Sequence, residues 1–339
     1  MTNYIGLDLH SKTSTFVIFN DDGEITHQKK MATKKAEIKS FLKSISGVKK
    51  LVFEETNTSH WAYRFMKDCV DELIICNPNY LPKKTGPKSD YRDALHLAMQ
   101  LKAGNLTQVH HSDSAEFDSR AFVKYYTDTS RRFVVLRKNL KALLRSEAVV
   151  VETRGRFWEK PEVFELIENP IKKLVAQKMS VELVEKNRQV AEFKALLESN
   201  TLALSTVELL QSVPGIGPIR AHVIAAWLGD GKRFKSKHHL WAYSMLVKYR
   251  DESDGATVRI RSVHGRSELK EAFLGTAINI IMGKETALKK FYLESIEKKN
   301  LDKRVARRAL ARKVASICLS IVKNKKAYDE NLILENLPK

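Results

Sequence analysis

YIGLDLHSKT, residues 4–13, places one aspartate inside an apolar run, with Ile5, Leu7 and Leu9 around Asp8. The run has the length and polar boundaries of a β-strand, and Asp8 falls near its middle. A charged carboxylate there is costly unless something compensates it. Asp8 is therefore the first residue of a candidate site. The competing reading, an aspartate that caps a turn at the strand end, needs no ligand.

The residues on either side of this stretch alternate between strand and helix patterns. Ser14–Asn20 (STFVIFN) is a second β-rich run, and Asn20-Asp-Asp-Gly23 signals a hairpin turn. Glu24–Lys30 makes a third strand. Thr33–Ser46 shows helical spacing at Ile38, Phe41, Leu42 and Ile45. Lys50–Glu54 is a short strand. Thr58–Asp68 reads as a helix capped by Thr58 or Ser59. Glu72–Cys76 is a fifth strand and Lys88–Ala103 a helix. Helical crossovers put the later strands parallel to the first. The order βββαβαβα matches a ribonuclease-H-like α/β topology, and equally one half of an actin-like ATPase, so topology alone does not decide function.

Beyond a polar connector, helical patterns run from about Glu116 to Arg154 and from about Val181 to Ser199. Pro161 and Asn169-Pro170 punctuate the space between them. Two long central helices follow from this, either as an oligomerisation arm or as part of a bundle. Ser212-Val-Pro-Gly-Ile-Gly-Pro218 then leads into a helix through Leu228. Gly215 and Gly217 suit a helix-hairpin-helix-like motif whose backbone N–H groups approach a phosphate. A last helix over about Asp302–Lys323 sets Arg304, Arg308 and Arg312 on one face. The expected division is 1–105, a carboxylate domain; 106–203, a helical linker and oligomerisation region; and 204–339, a mainly α C-terminal domain.

The 339 residues carry 59 Lys+Arg against 40 Asp+Glu, a formal net charge of +19. Such an excess suits a polyanionic partner, since phosphate contacts release counterions. Lys12, Arg259, Arg261 and the α-helical arginines are the candidate contacts. Cys69, Cys76 and Cys318 form no zinc-type cluster, and an odd count argues against a disulfide framework. With no basic start ahead of an apolar segment and no 18-residue apolar stretch, the expectation is a cytoplasmic protein without a membrane span.

Four carboxylates stand where this topology puts a metal site. Asp8 lies on the first strand and Glu54 ends the strand expected beside it. Asp90 and Asp93, at i,i+3, share a face of the helix after the fifth strand. Glu55 competes with Glu54, and Asp90 or Asp93 could instead cap that helix. Oxygen ligands of this kind suit Mg²⁺ or Mn²⁺ and two-ion phosphodiester chemistry. His10 follows Asp8 closely but carries no assigned role.

YIGLDLHSKT, VFEETN (52–57), CNP (76–78) and KSDYRDALHLA (88–98), taken in order, resemble the N-terminal Asp-Glu-Asp-Asp domain of the IS-one-ten and IS-eleven-eleven insertion-sequence transposases, a group that includes Piv-type DNA invertases. SVPGIGPIRAHVIAAWLGDGKRF (212–234), AYSML (242–246), RSVHG (261–265) and ELK (268–270) are similar to that family's C-terminal transposase domain. The resemblance implies a RuvC-like domain, similar to Holliday-junction resolvases, whose Asp8, Glu54, Asp90 and Asp93 bind divalent metal. It also implies a serine that forms a covalent phosphoserine with DNA. Ser253 matches it, although Asp254 separates it from the glycine that normally follows, and Ser262 and Ser244 are the other serines at hand. Met245 and Asn57 stand where the family has glycines. A structured guide RNA, a bridge RNA, pairing with target and donor DNA is implied as well, with dimers that assemble into tetramers. The alternatives are a junction-selective endonuclease and an invertase without a guide.

Overall fold

The computed structural model describes residues 1–82, 87, 89–152, 155–200, 202–253, 256–262 and 265–331, with the backbone alone over 249–253 and 256–262. The chain divides into two compact units, Met1–Asp113 and Ser114–Lys339.

In the first unit the order is β1 (Thr2–Leu9), β2 (Thr13–Phe19), β3 (Ile25–Ala32), α1 (Lys35–Ser44), β4 (Val48–Glu54), α2 (Ser59–Met66), β5 (Glu72–Cys76) and α3 (Asp90–Lys102). The expected βββαβαβα order is present. Asn20 and Gly23 close the β2–β3 hairpin, Gly23 at φ +87° and its N–H donating to the Asn20 carbonyl. One mixed sheet results, β3-β2-β1-β4-β5, with β1 antiparallel to β2 and parallel to β4. Strand alternation sorts its two faces. Ile5, Leu7 and Leu9 pack with Ile38 and Leu42 of α1 and Ala62 and Met66 of α2. The opposite face, with Tyr4, Val52 and Cys76, meets Leu97 and Leu101 of α3. Gly6 permits the close approach of α3. A Cβ there would lie 1.8 Å from the Ala94 carbonyl oxygen and 2.8 Å from the Ala98 nitrogen.

The second unit begins with α4 (Ala115–Ser146), followed by α5 (Pro161–Glu165) and α6 (Pro170–Glu198). Both long helices differ in extent from the sequence expectation. The first ends at Ser146 rather than near Arg154. The second starts eleven residues before Val181, because Asn169-Pro170 is a helix start: the Asn169 carboxamide accepts from the Ile171 and Lys172 N–H groups and Pro170 occupies N1. α7 (Ser205–Gln211) and α8 (Pro218–Leu228) flank the 212–217 hairpin. Every residue of α8 from Ala221 to Leu228 is buried. It is the central helix of this unit, and α4, α6, α7 and α10 all contact it.

Next come α9 (Lys237–Tyr243), the antiparallel pair β6 (Lys248–Ser253) and β7 (Ala256–Ser262), α10 (Ser267–Met282), α11 (Ala287–Glu297) and α12 (Lys303–Asn324). β6 and β7 pair from Lys248↔Ser262 to Ser253↔Ala256, and residues 254 and 255 between them lie outside the described residues. Leu310, Val314 and Ile321 of α12, which recur at helical spacing, lie in the core, while Ile317 packs against it half-buried. Cys69, Cys76 and Cys318 are buried and in no disulfide. Among the described residues no helix is long and apolar enough to cross a membrane.

Candidate functional site

Register assembles the site. Asp8 is the penultimate residue of β1, nearer the strand end than its apolar surroundings suggest. It pairs with Thr15, and Thr15 pairs with Lys30, so the three occupy one row across the sheet. On the other side Leu7 pairs with Phe53, which places Glu54 next to Asp8 along the parallel ladder and on the same face. That is the face against which α3 packs at Gly6, two residues from Asp8.

α3 then supplies its first turn. Ser89 is its N-cap, the Oγ accepting from the Arg92 N–H at 3.3 Å. The capping role thus falls to Ser89 rather than to Asp90 or Asp93. The Lys30 ammonium donates to Asp90 Oδ2 at 2.7 Å. His10 Nε2 lies 3.1 Å from Asp8 Oδ2. One ligand-type atom from each of Asp8, His10 and Asp90 falls within 4.8 Å of the others. Glu54 and Asp93 stand outside that tight group, Glu54 at the end of the neighbouring strand and Asp93 one turn along α3 from Asp90.

The charges interact. The Asp8 side chain is 18% exposed, and burial pushes its carboxyl above the usual carboxylate range. His10 opposes that shift, while Asp90 and then Asp93 add to it. Asp90 goes the other way, held low mainly by the hydrogen bond from Lys30. Thr15 Oγ1, beside Asp8, is buried and has no hydrogen-bond partner among the described residues. Three carboxylates that feel one another, an imidazole and an unsatisfied hydroxyl are a donor set that fits a divalent cation.

Lys30, Thr15 and His10 are members that sequence reasoning missed or left without a role. For His10 a signal existed: two residues past Asp8, strand alternation brings it back to the same side. Lys30 and Thr15 could be found only through the pairing register. Lys12 is exposed between β1 and β2.

In the second unit, Ser253 ends β6 and pairs with Ala256 at the start of β7, at the far end of the hairpin from Lys248 and Ser262. Asp254, Gly255 and His264 lie outside the described residues, and Arg259 and Arg261 are described as backbone positions of β7 only. Ser244 is fully buried, which withdraws its hydroxyl from any polymer substrate. The N-terminus of α10 is anchored on α9. The Arg266 N–H donates to the Tyr243 carbonyl at 2.8 Å, and a Cβ on Gly265 would meet that same oxygen at 2.3 Å.

The glycines of 212–217 have separate reasons. Gly215, at φ +82°, is pressed against Thr276 and Ile280 of α10, and its carbonyl accepts from Asn279. Gly217 is the N-cap of α8 with open space where a Cβ would stand. Arg304 and Arg308 are exposed on α12, whereas Arg312 is half-buried and its guanidinium is held low by burial and by Arg308.

Two family profiles match the chain. A DEDD transposase profile of IS110 type matches residues 5–148, and a profile described as "Transposase IS116/IS110/IS902 family" matches residues 207–293. Among curated proteins the chain is 25% identical over 270 residues to a putative transposase y4qE of Sinorhizobium fredii, covering 76% of this chain and 66% of that protein. It is 28% identical over 127 residues to the pilin gene-inverting protein of Moraxella bovis, covering 37% and 39%. It is 22% identical over 280 residues to the transposase for insertion sequence element IS1111A of Coxiella burnetii, covering 80% and 76%. The first two matches thus span less than two thirds of those relatives.

Proposed function

The chain belongs to the IS116/IS110/IS902 family of transposases, and from that membership we propose that it is a metal-dependent DNA recombinase that cuts and rejoins DNA at the acidic face of its N-terminal sheet. The observation that carries this reading is the meeting of Asp8, His10 and Asp90 within 4.8 Å on one face of the sheet, with Glu54 at the adjacent strand end. The strand order 3-2-1-4-5 supports a ribonuclease-H-like, RuvC-like assignment for the unit that carries them.

Asp8 and Asp90 would hold Mg²⁺ or Mn²⁺, with Glu54, Asp93 and His10 as the remaining donors. A divalent cation bound there would stabilise negative charge on phosphate oxygens as the phosphodiester is displaced. Lys30 would give up Asp90 to that cation and turn its ammonium toward the substrate. Thr15 would offer its hydroxyl to the carboxylate of Asp8.

Ser253 is proposed as the nucleophile. Its oxygen would form a bond to phosphorus, the bond to the departing strand would break, and that strand would leave as a hydroxyl end. The phosphoserine keeps the phosphodiester energy for rejoining. Standing at the end of a two-stranded hairpin, Ser253 is carried on an element that can reach into DNA. Gly217 at the α8 N-terminus, Lys12, Arg259, Arg261, Arg304 and Arg308 would contact backbone phosphates. The working assembly is read as a homodimer that forms tetramers in the cytoplasm on target and donor duplexes. A structured guide RNA would supply sequence choice by base pairing, as in other guide-directed enzymes.

The test is a strand-transfer assay with Mg²⁺ on a plasmid carrying the gene's own flanking DNA, run with wild type, D8N and S253A. Loss of all cleavage in D8N, and loss of a denaturant-resistant protein–DNA adduct in S253A, are the expected results. An S253A enzyme that still joins strands would reject the serine mechanism. Cleavage surviving in S253A without joining would indicate a junction nuclease. The likeness to the pilin gene-inverting protein makes inversion of a flanked segment the second product to score.

A further inference from the structure

α9 and the C-terminal half of α12 enclose a cleft of about 640 Å³ that the proposed chemistry leaves unused. On α12, Lys313, Ser316, Ser320 and Asn324 follow one another at i, i+3, i+7 and i+11, a single helical face. All four line the cleft. Lys237 faces them from α9, and Tyr328 closes one end.

This lining is rich in donors. Lys313 is half-buried, and burial together with the charge of Lys237 holds its ammonium below its ordinary range. Among the described residues neither lysine is ion-paired. Tyr328 Oη is buried with no hydrogen-bond partner among the described residues, and burial pushes this phenol up to about 12, so it remains an O–H donor. One carboxylate lies on the rim, that of Asp329, which is exposed and accepts from the Asn331 N–H. Two unshared ammonium groups facing each other across a concave surface call for an anion.

The cleft continues a cationic track. Trp241 of α9 sits between Lys237 and Arg312, whose cationic groups lie 5.8 Å and 5.7 Å from its ring centre. The indole N–H donates to the Arg312 carbonyl and to Ser316 Oγ, locking the two helices together. From Lys313 to Asn324 the polar face runs ~16 Å along the helix axis. A small ion needs no such length, whereas a strand of nucleic acid carries a phosphate every ~3.4 Å of rise.

We propose that this cleft is a phosphate subsite for the backbone of nucleic acid, held by Lys237 and Lys313 with Ser320, Asn324 and Tyr328 as neutral donors. The proposal rests on the nucleic-acid reading above but not on the acidic site. Its test is therefore run without divalent metal, on the full chain. The affinity for a fluorescent 30-base-pair duplex is measured against salt concentration for wild type, K237Q/K313Q and K237R/K313R. The Gln pair is expected to make the slope of log affinity against log salt shallower by about 2, close to the ~0.9 lost per phosphate contact. The Arg pair keeps the wild-type slope. Removing like charges leaves the melting temperature of the Gln pair equal to or above wild type. Should the pair fail to fold, the single variants K237Q and K313Q each take about half of the slope change.

An unchanged slope in the folded Gln variant overturns the proposal. So does competition by inorganic phosphate, at fixed ionic strength, that the Gln pair abolishes while its DNA slope is unaltered, since the cleft would then be a free-phosphate site. Wild type that binds no DNA would sink the nucleic-acid reading itself, and this subsite with it. DNA binding by wild type in this assay, with no cleavage by wild type in the Mg²⁺ strand-transfer assay, would sink only the enzymatic reading.

Discussion

At the scale of a residue, Asp8 is held in a poor position for its own folding and a good one for chemistry. Burial and the charges of Asp90 and Asp93 make it bind its proton more tightly in the folded chain than in the unfolded one. Such a group contributes stability at acid pH and loses it as pH rises through its raised value. Asparagine carries no charge and escapes that loss. D8N is therefore expected to melt higher than wild type at pH 7 without metal, and the gap should close as pH falls below the ordinary aspartate value of 3.8. Millimolar Mg²⁺ should raise the wild-type melting temperature and leave D8N unmoved, because ligand binding to the native state adds stability only where the site is intact. Calorimetry with and without the ion reads both effects. Gly6 is the complementary case. With an alanine Cβ at 1.8 Å from the Ala94 carbonyl, α3 must move off the sheet. G6A should lose about 3 kcal/mol or more by overpacking, and should lose activity further because Asp90 and Asp93 travel with α3. A G6A protein with wild-type stability by denaturant unfolding would show that α3 does not pack as described.

At the scale of an element, α3 sets the distance between the two halves of the site. Its cap, Ser89, accepts from the Arg92 N–H. S89A is expected to cost about 1 kcal/mol and to loosen the first turn that presents Asp90, so activity should fall more than stability alone accounts for. A cap-neutral result, with unfolding midpoint unchanged, would mean that the sheet rather than the cap orders this turn. The Lys30–Asp90 pair adds little to stability because both side chains are well exposed. It keeps Asp90 ionised. α6 shows why element boundaries escape a reading of apolar periodicity. Ile171, Leu174 and Val175 in its first turns are exposed, so the buried stripe that announces a helix starts only at Ala176 and Leu183. The cap at Asn169 and the proline at N1 are the local signal of that start.

At the scale of the whole molecule, a net charge of +19 acts through the long-range field rather than through any one contact. A protein that covers six to ten phosphates loses roughly 10³–10⁵ in affinity between 50 and 200 mM salt. The chain is expected to bind duplex DNA of arbitrary sequence with a decline in that range, measured by anisotropy. A flat salt dependence would contradict the use of its basic surfaces for nucleic acid. The acidic face of the first unit and the Ser253 hairpin of the second belong to separate compact units. Chemistry that needs both requires them to be brought to the same phosphate.

The amino-acid sequence by itself determined what short-range patterns can carry. The strand and helix order of the first unit, the turn at Asn20–Gly23, the buried face of α12 and the outlying position of Asp8 in an apolar run were all legible, because two-residue and 3.6-residue periods are local. The tertiary structure decided what depends on pairing between distant segments. The row Asp8–Thr15–Lys30 exists only through strand register. The closeness of Asp90 to Asp8 exists only because Gly6 lets α3 descend onto the sheet. The burial of Ser244 at the C-terminal end of α9 is likewise a matter of packing that no spacing along the chain reveals. Register and close packing join residues tens of positions apart, and no periodicity along the chain encodes which partner a strand or helix will meet.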